Sequence, residues 1–193
     1  MTYPTEHKTV FVLDRGPLFG RPCNQSIEYD VLSKTKTPGI IPAAPITKTM
    51  WTCNVETMIE YMRIVFDIFP TSRLIRVVTG SEALNSWAQK EQNTAQVMTG
   101  LGHVGPPLPS AKDDDYSMMH GLSKAIEILC EPTDKQKEYD QEILLNRGRI
   151  ICFTSAKSEA QVRMLEECVC DALNQHNKLA AESDSQGLTG INY

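Results

Sequence analysis

The chain has 193 residues, of which 41% are hydrophobic and 22% charged, a globular composition rather than a disordered one. At this length it buries roughly 70% of its unfolded surface and needs no metal or disulfide staple to fold. Nineteen basic against 24 acidic side chains leave a net charge of −5, which argues against nucleic-acid binding by bulk electrostatics.

The N-terminus, Met1 to Lys8, lacks an apolar signal region, so the chain reads as non-secreted and the Asn24-Gln25-Ser26 sequon as unused. Lys8 to Asp14 is a nearly continuous run of β-formers, the pattern of a strand covered on both faces. Residues 15–50 carry Pro17, Pro22, Pro38, Pro42 and Pro45 and read as loop, with room for an edge strand or short helix over Ser26 to Leu32. Val55 to Phe69 is the clearest helix: Val55, Met58, Ile59, Met62, Val65, Phe66 and Phe69 share a face. Thr52 or Asn54 caps it and Pro70 stops it. Ser72 to Thr79 reads as a second strand. Ser81 to about Gly100 reads as a more polar helix with Leu84, Trp87, Ala88, Ala95 and Met98 inward, followed by a Gly/Pro turn region to Ser110.

Tyr116 to Cys130 is a further helix with Asp113, Asp114 and Asp115 at its positive end. Thr133 and Gln136 form a capping box opening a charged helix to about Asn146. Arg149 to Thr154 is a third strand. Ser158 and Gln161 form a second capping box, opening a helix to about Ala181 with Val162, Leu165, Val169, Ala172, Leu173 and His176 on one stripe. Residues 1–181 read as one domain and 182–193 as a loose tail. Buried strands alternating with amphipathic helices give an α/β fold, a mainly parallel sheet with helices on both faces. Three strands are few for so many helices. Either an edge strand hides in residues 20–50 or the sheet is incomplete at the C-terminus.

Six cysteines, at 23, 53, 130, 152, 168 and 170, include no C-x-x-C pair and read as reduced thiols in a cytosolic or nuclear protein, without zinc. Gly100 to Gly105 spells G-x-G-x-x-G, but it follows a helix and runs into Pro106-Pro107, so it reads as a turn and not a dinucleotide loop. No G-x-S-x-G elbow or G-x-x-x-x-G-K-[ST] loop is present. His120 near Asp113–Asp115 spells an acid/base site, yet the aspartates suit a helix dipole. His7 and His103 lie in loops without a nameable partner, and His176 reads as a packed core histidine. Asp14 is more informative: it ends the first strand at its carboxyl end, where open α/β sheets place their sites. A divalent ion there needs further oxygens, and the neighbouring loops offer only hydroxyls, Thr154 and Ser155.

HKTVFVLD at 7–14, GIIPAAPITKTMWTCNVETMIEYMRIVFDIFP at 39–70, LNSWAQKEQN at 84–93, VGPPLP at 104–109, NRGRIICFTSAKSEAQVRMLEECV from 146 and HNKLAA up to 181 resemble the Asunder family, that of the thirteenth subunit of the Integrator complex. The likeness covers nearly all of residues 7–184. It implies a von Willebrand factor type A-like, Rossmann-like domain. Such domains often hold a metal ion through D-x-S-x-S after the first strand, a later Thr and an Asp after the fourth strand. Only Asp14 matches. Gly16 and Leu18 replace the serines, Ser117 is the nearest hydroxyl to the Thr position, and Ser155 with neighbouring Thr154 stands where the Asp belongs. The site therefore reads as degenerate, with Asp14, Ser117 and Thr154 as weak metal candidates and no cofactor.

The resemblance further implies a non-enzymatic scaffold of nucleus and cytoplasm, paired with the fourteenth Integrator subunit and contacting the tenth. It implies roles in small nuclear RNA 3′-end processing and RNA polymerase II regulation, and links to mitotic progression and to dynein at the nuclear envelope. Family members are several times longer, so the chain reads as a fragment or short form. A metal-dependent adhesion-type ligand binder using Asp14 is the alternative, and a small α/β enzyme the third. Lys34, Lys36, Lys48, Arg147, Arg149 and Lys157 are the residues that would gather into an RNA-binding face, although scattered solvated charge is the simpler account.

Overall fold

The computed structural model describes residues 6–27, 46–108, 118–138, 146–156, 158–182 and 191–192. A five-stranded sheet has the order β5-β4-β1-β6-β7, where β1 is Glu6–Leu13, β4 Arg73–Thr79, β5 Glu82–Ala83, β6 Asn146–Phe153 and β7 Ile191–Asn192. β1 pairs in parallel with β4 and with β6, β7 runs parallel to β6, and only β5 is antiparallel. Strands β2 (Pro22–Ile27) and β3 (Ile46–Thr49) form a separate antiparallel pair. The strands within residues 20–50 therefore do not edge the main sheet; β5 and β7 do. The segment read as a loose tail supplies β7, whose two residues pair with Asn146 and Arg147 at the start of β6.

The continuous apolar run of β1 follows from its place at the centre of the sheet. Side chains alternate across the sheet. Val10 and Val12 join Leu74, Val78 and the inner residues of α3 (Met118–Cys130) and α5 (Glu159–Glu182). Phe11 and Leu13 join Ile75, Val77 and the inner residues of α1 (Met50–Ile68) and α2 (Thr94–Val104). At a typical 1.5–3 kcal/mol for each fully buried large apolar side chain, these two layers are what hold the sheet between its helices.

Helix α1 begins five residues before the sequence pattern places it. Thr49, the last residue of β3, is its N-cap and accepts the Thr52 N–H through its hydroxyl at 3.1 Å, so neither Thr52 nor Asn54 fills that role. The first turn buries Trp51, which tertiary packing rewards and a search for helical spacing passes over. Pro70 follows the end of the helix as expected.

The helix expected over Ser81 to Gly100 is not formed as such. The chain makes β5, a 3-10 turn at Gln89–Glu91, and then α2, capped by Asn93. The reason lies in β4, whose outer edge is covered by β5 for two residues only. Asn85 completes it: its Oδ1 accepts the Val77 N–H at 3.0 Å and its Nδ2 donates to the Ile75 carbonyl at 2.8 Å. Gln92 accepts the Ile75 N–H at 2.7 Å. These two buried amides stand in for a missing strand, and a helix through 85–92 would strip β4 of its partners. Leu84 and Trp87 are buried as expected, but Ala95 and Met98 face solvent. Helix α2 then runs through Gly100–Val104, so the residues read as a turn are its last turn. Gly105, at φ 71°, ends it.

The Thr133–Gln136 capping box forms in both directions, at 2.9 and 3.2 Å, and opens α4 (Asp134–Glu138); the rest of that helix, to Asn146, lies outside the described residues. In the second box the Gln161 N–H donates to Ser158 at 3.3 Å. On α5 the stripe is real but shallow: Leu173 is buried, Leu165, Val169, Ala172 and His176 are half-buried, and Val162 is exposed. Lys8 is fully buried on β1. Its Nζ donates to the Glu131 and Leu129 carbonyls at 2.7 and 3.3 Å, closing the C-terminal end of α3. Lys8 and Arg76 lie 5.5 and 5.4 Å from the Trp87 ring centroid, and Arg76 pairs with Glu131. All six cysteines are free thiols, and among the described residues no helix is long and apolar enough to cross a membrane.

Candidate functional site: the carboxyl end of the sheet

Parallel strands β1, β4 and β6 end together, and the loops after them make one surface. The Asp14 N–H donates to the Phe153 carbonyl at 3.1 Å, extending the β1–β6 ladder by one residue. Its carboxylate then works in two directions. Oδ1 accepts the Gly16 N–H at 2.7 Å, a local turn that starts the 3-10 helix Pro17–Gly20. Oδ2 accepts the Thr154 hydroxyl at 2.8 Å, from the loop after β6. Sequence reasoning named Asp14 and Thr154, and the structure brings them together. Ser117 lies outside the described residues.

Position 16 has room for little else, because a Cβ there would stand 3.1 Å from Asp14 Oδ1. Leu18 points an apolar side chain outward while Phe19 is buried in the core. A divalent ion wants six or more oxygens around it. Among the described residues Asp14 offers the carboxylate here, both of its oxygens already accept hydrogen bonds, and positions 16 and 18 carry no side-chain oxygen. Among the described residues, no group of three or more His, Cys, Asp or Glu is placed to hold a metal ion. Among the described residues, Asp14, Gly16, Leu18 and Thr154 do not make up the oxygen set of a type A metal site.

Three neighbours shape this end of the sheet, and none stood out in the sequence. Gly121 lets α3 close on the sheet, since a Cβ there would lie 2.7 Å from Val12 Cγ1 and 3.3 Å from the Gly80 carbonyl. A glycine amid the apolar face of a helix was the available signal. Arg15 donates to the Val104 carbonyl at 3.1 Å, tying the Asp14 loop to the end of α2. Thr79, the last residue of β4 and the register partner of Leu13, is 2% exposed, and its hydroxyl has no hydrogen-bond partner among the described residues. Beneath Asp14, burial first and the Asp14 charge second push the Cys152 thiol up to about 12; its sulfur lies 3.2 Å from that of Met118.

The other sequence candidates do not converge. G-x-G-x-x-G is the last turn of α2 and its cap, so no helix N-terminus faces a phosphate there. His103 and His120 are exposed on α2 and α3, and Asp113–Asp115 lie outside the described residues. His7 is half-buried on β1, in an element rather than a loop, and His176 is half-buried rather than a core residue. Of the basic residues, Lys48 is paired with Glu56 at 2.6 Å and Arg149 donates to the Tyr61 hydroxyl at 3.2 Å. Lys34, Lys36 and Lys157 are outside the described residues, as is the side chain of Arg147.

Comparison with known proteins gives a consistent set of relatives. Residues 3–192 match the family model "Cell cycle and development regulator Mat89Bb". The chain is 47% identical over 192 residues to Integrator complex subunit 13 of Xenopus tropicalis, covering 95% of this chain and 27% of that protein. It is 48% identical over 191 residues to the Homo sapiens protein of the same name, again 27% of its length. It is 36% identical over 203 residues to Protein asunder of Drosophila persimilis, covering 99% of this chain and 30% of that protein. The chain thus spans less than a third of the length of these relatives.

Proposed function

The chain belongs to the Mat89Bb family of cell cycle and development regulators, and from that membership we propose that it acts as a non-catalytic scaffold segment of a nuclear Integrator complex. The observation that carries this reading is the pairing of a likeness to Integrator complex subunit 13 that runs over 94–95% of this chain with a strand-end Asp14 carboxylate spent on internal hydrogen bonds. Under this reading Asp14 is a clasp that fixes loop shape, and the surface around it serves docking rather than chemistry. The fold is then a degenerate type A domain. Its support is the strand order, which is 3-2-1-4-5 when counted along the sheet in chain order, the doubly wound arrangement.

The finer assignments rest on the family resemblance. The partners are other Integrator subunits, the fourteenth and tenth first among them, and the processes are small nuclear RNA 3′-end formation and RNA polymerase II regulation. Any RNA contact belongs to the assembly. Cell-cycle work, including dynein at the nuclear envelope, would use a cytoplasmic, perinuclear pool.

The test is affinity capture from nuclear extract on the tagged chain, with circular dichroism confirming that the bait is folded. Enrichment of Integrator subunits supports the reading. A folded bait that recovers none of them refutes it for this segment.

A further inference from the structure

Two exposed faces of the fold carry charge that the scaffold reading leaves unused. The first lies where α1 flanks β6. Arg149 of β6 donates to the Tyr61 hydroxyl of α1 at 3.2 Å. Tyr61, Ile64 and Ile68 follow the i, i+3, i+7 spacing and share that flank of α1. Ile64 is 46% and Ile68 61% exposed. Strand register puts Ile75, Thr9 and Arg149 in one row, and Arg73 lies two residues before Ile75. Both arginines therefore belong to the α1 face of the sheet. Arg73 sits over the Phe69 ring, 4.5 Å from its centroid. Among the described residues neither arginine has a carboxylate partner, whereas Glu60 and Asp67 on the outer side of α1 are both paired with Arg63.

The second face is the outer side of α5. The inner side of that helix packs with Val10 and Val12, on the opposite face of the sheet from α1. Met164, Glu167 and Asp171 share an outer flank by the same i, i+3, i+7 spacing, and Met164 is 50% exposed. Glu166, Glu167 and Asp171 line one open hollow with Arg163 and Cys170. Arg163 is paired with Glu159 at 2.6 Å, and among the described residues the other three carboxylates have no cationic partner. We propose that the two faces bind one another between copies of this chain. The α5 face of one copy docks on the α1–β6 flank of the next, with Glu167 and Asp171 against Arg149 and Arg73, and Met164 against Ile64 and Ile68.

Charge and placement set the arrangement. The faces lie on opposite sides of the sheet, so one copy cannot join them within itself. A two-fold pairing of either face with itself would set arginine against arginine or carboxylate against carboxylate, which like charge opposes. The contact is therefore head to tail, and its repetition extends a stack of copies instead of closing a two-fold dimer. Exposed ion pairs contribute little one by one and are screened by salt, so the association is weak, relies on the apolar contact for part of its strength, and is lost as ionic strength rises.

The experiment follows the full chain by sedimentation velocity from micromolar to millimolar concentration, under a reductant so that exposed Cys170 cannot cross-link copies. The expected result is a weight-average sedimentation coefficient that climbs past the value for a dimer in low salt. It should return to that of the monomer in about 0.5 M salt, where the Debye length is about 4 Å. Two double variants, Arg149→Ala with Ile68→Ser and Glu167→Gln with Asp171→Asn, each checked for an unchanged melt, should both stay monomeric. Mixing them should give a one-to-one dimer that grows no further, because each supplies the face the other lacks. A chain that is monomeric at every concentration overturns the proposal. So does a closed dimer of the unaltered chain, association that high salt or either double variant leaves intact, or a mixture that fails to pair. None of these outcomes bears on Integrator capture, so the two readings fail separately.

Discussion

Replacing Asp14 separates a clasp from an ion site. The carboxylate accepts two hydrogen bonds, from the Gly16 N–H at 2.7 Å and the Thr154 hydroxyl at 2.8 Å. Hydrogen bonds to a charged group contribute about 1.5–3 kcal/mol each, less where water can take over. Asp14 is half-buried, so Asp14→Ala should cost about 2–4 kcal/mol in all. For a chain of this size that lowers the melting temperature by roughly 5–15 °C, at about 2–4 °C per kcal/mol. Asp14→Asn keeps one oxygen for the Gly16 N–H, and its amide can donate to Thr154, so its cost should be about 1 kcal/mol. Thermal melts of the three proteins, each with and without millimolar magnesium or manganese, read the answer. A clasp gives the order wild type, Asn, Ala, with no metal response in any of them. A bound ion instead stabilises the wild type by mass action and is lost with Asn as fully as with Ala. A metal-dependent rise confined to the wild type would refute the clasp.

Removing the surrogate strand should be the costliest single change. Asn85→Ala orphans the Val77 N–H and the Ile75 carbonyl, about 2–6 kcal/mol in total, read as a lower urea midpoint and lost hydrogen-exchange protection at Val77; unchanged protection would contradict it. Thr79→Val keeps the shape but removes a buried hydroxyl that has no partner among the described residues, so it should be neutral or stabilising by about 1 kcal/mol, and a destabilisation of about 1 kcal/mol or more would mean the hydroxyl is satisfied in solution. Burial, the main cause, raises the Cys130 and Cys152 thiols to about 11 and about 12 from an ordinary 9.0, so both should resist iodoacetamide in the native chain at pH about 9 and react after denaturation. Because the unfolded chain releases these protons first, their contribution to stability is complete below pH 9.0 and falls as pH rises toward 11 and 12, which urea midpoints across that window would show.

Patterns that depend on near neighbours in the chain were legible. The buried run of β1, the apolar stripe of α1, the Thr133 capping box and the place of Asp14 at a strand end could all be read without coordinates. Each depends on side-chain spacing or on a turn of backbone that the residues settle among themselves. The helix expected through Ser81–Gly100 shows where that reasoning stops. Its apolar spacing suits a helix, but Asn85 and Gln92 are claimed by β4, a strand distant enough that no local pattern records the demand. The start of α1 was misplaced for a similar reason, since Thr49 caps it from the end of another strand.

The candidate site divides along the same line. Sequence alone settled the family, the kind of fold and the poverty of oxygens after β1, because these are matters of residue identity and order. Only the tertiary structure decided that Thr154 bonds Asp14 across 140 positions and that Gly121 brings α3 onto Val12. Such contacts join residues whose separation along the chain carries no periodic signal, and it is the burial of whole layers, not any local preference, that brings them together.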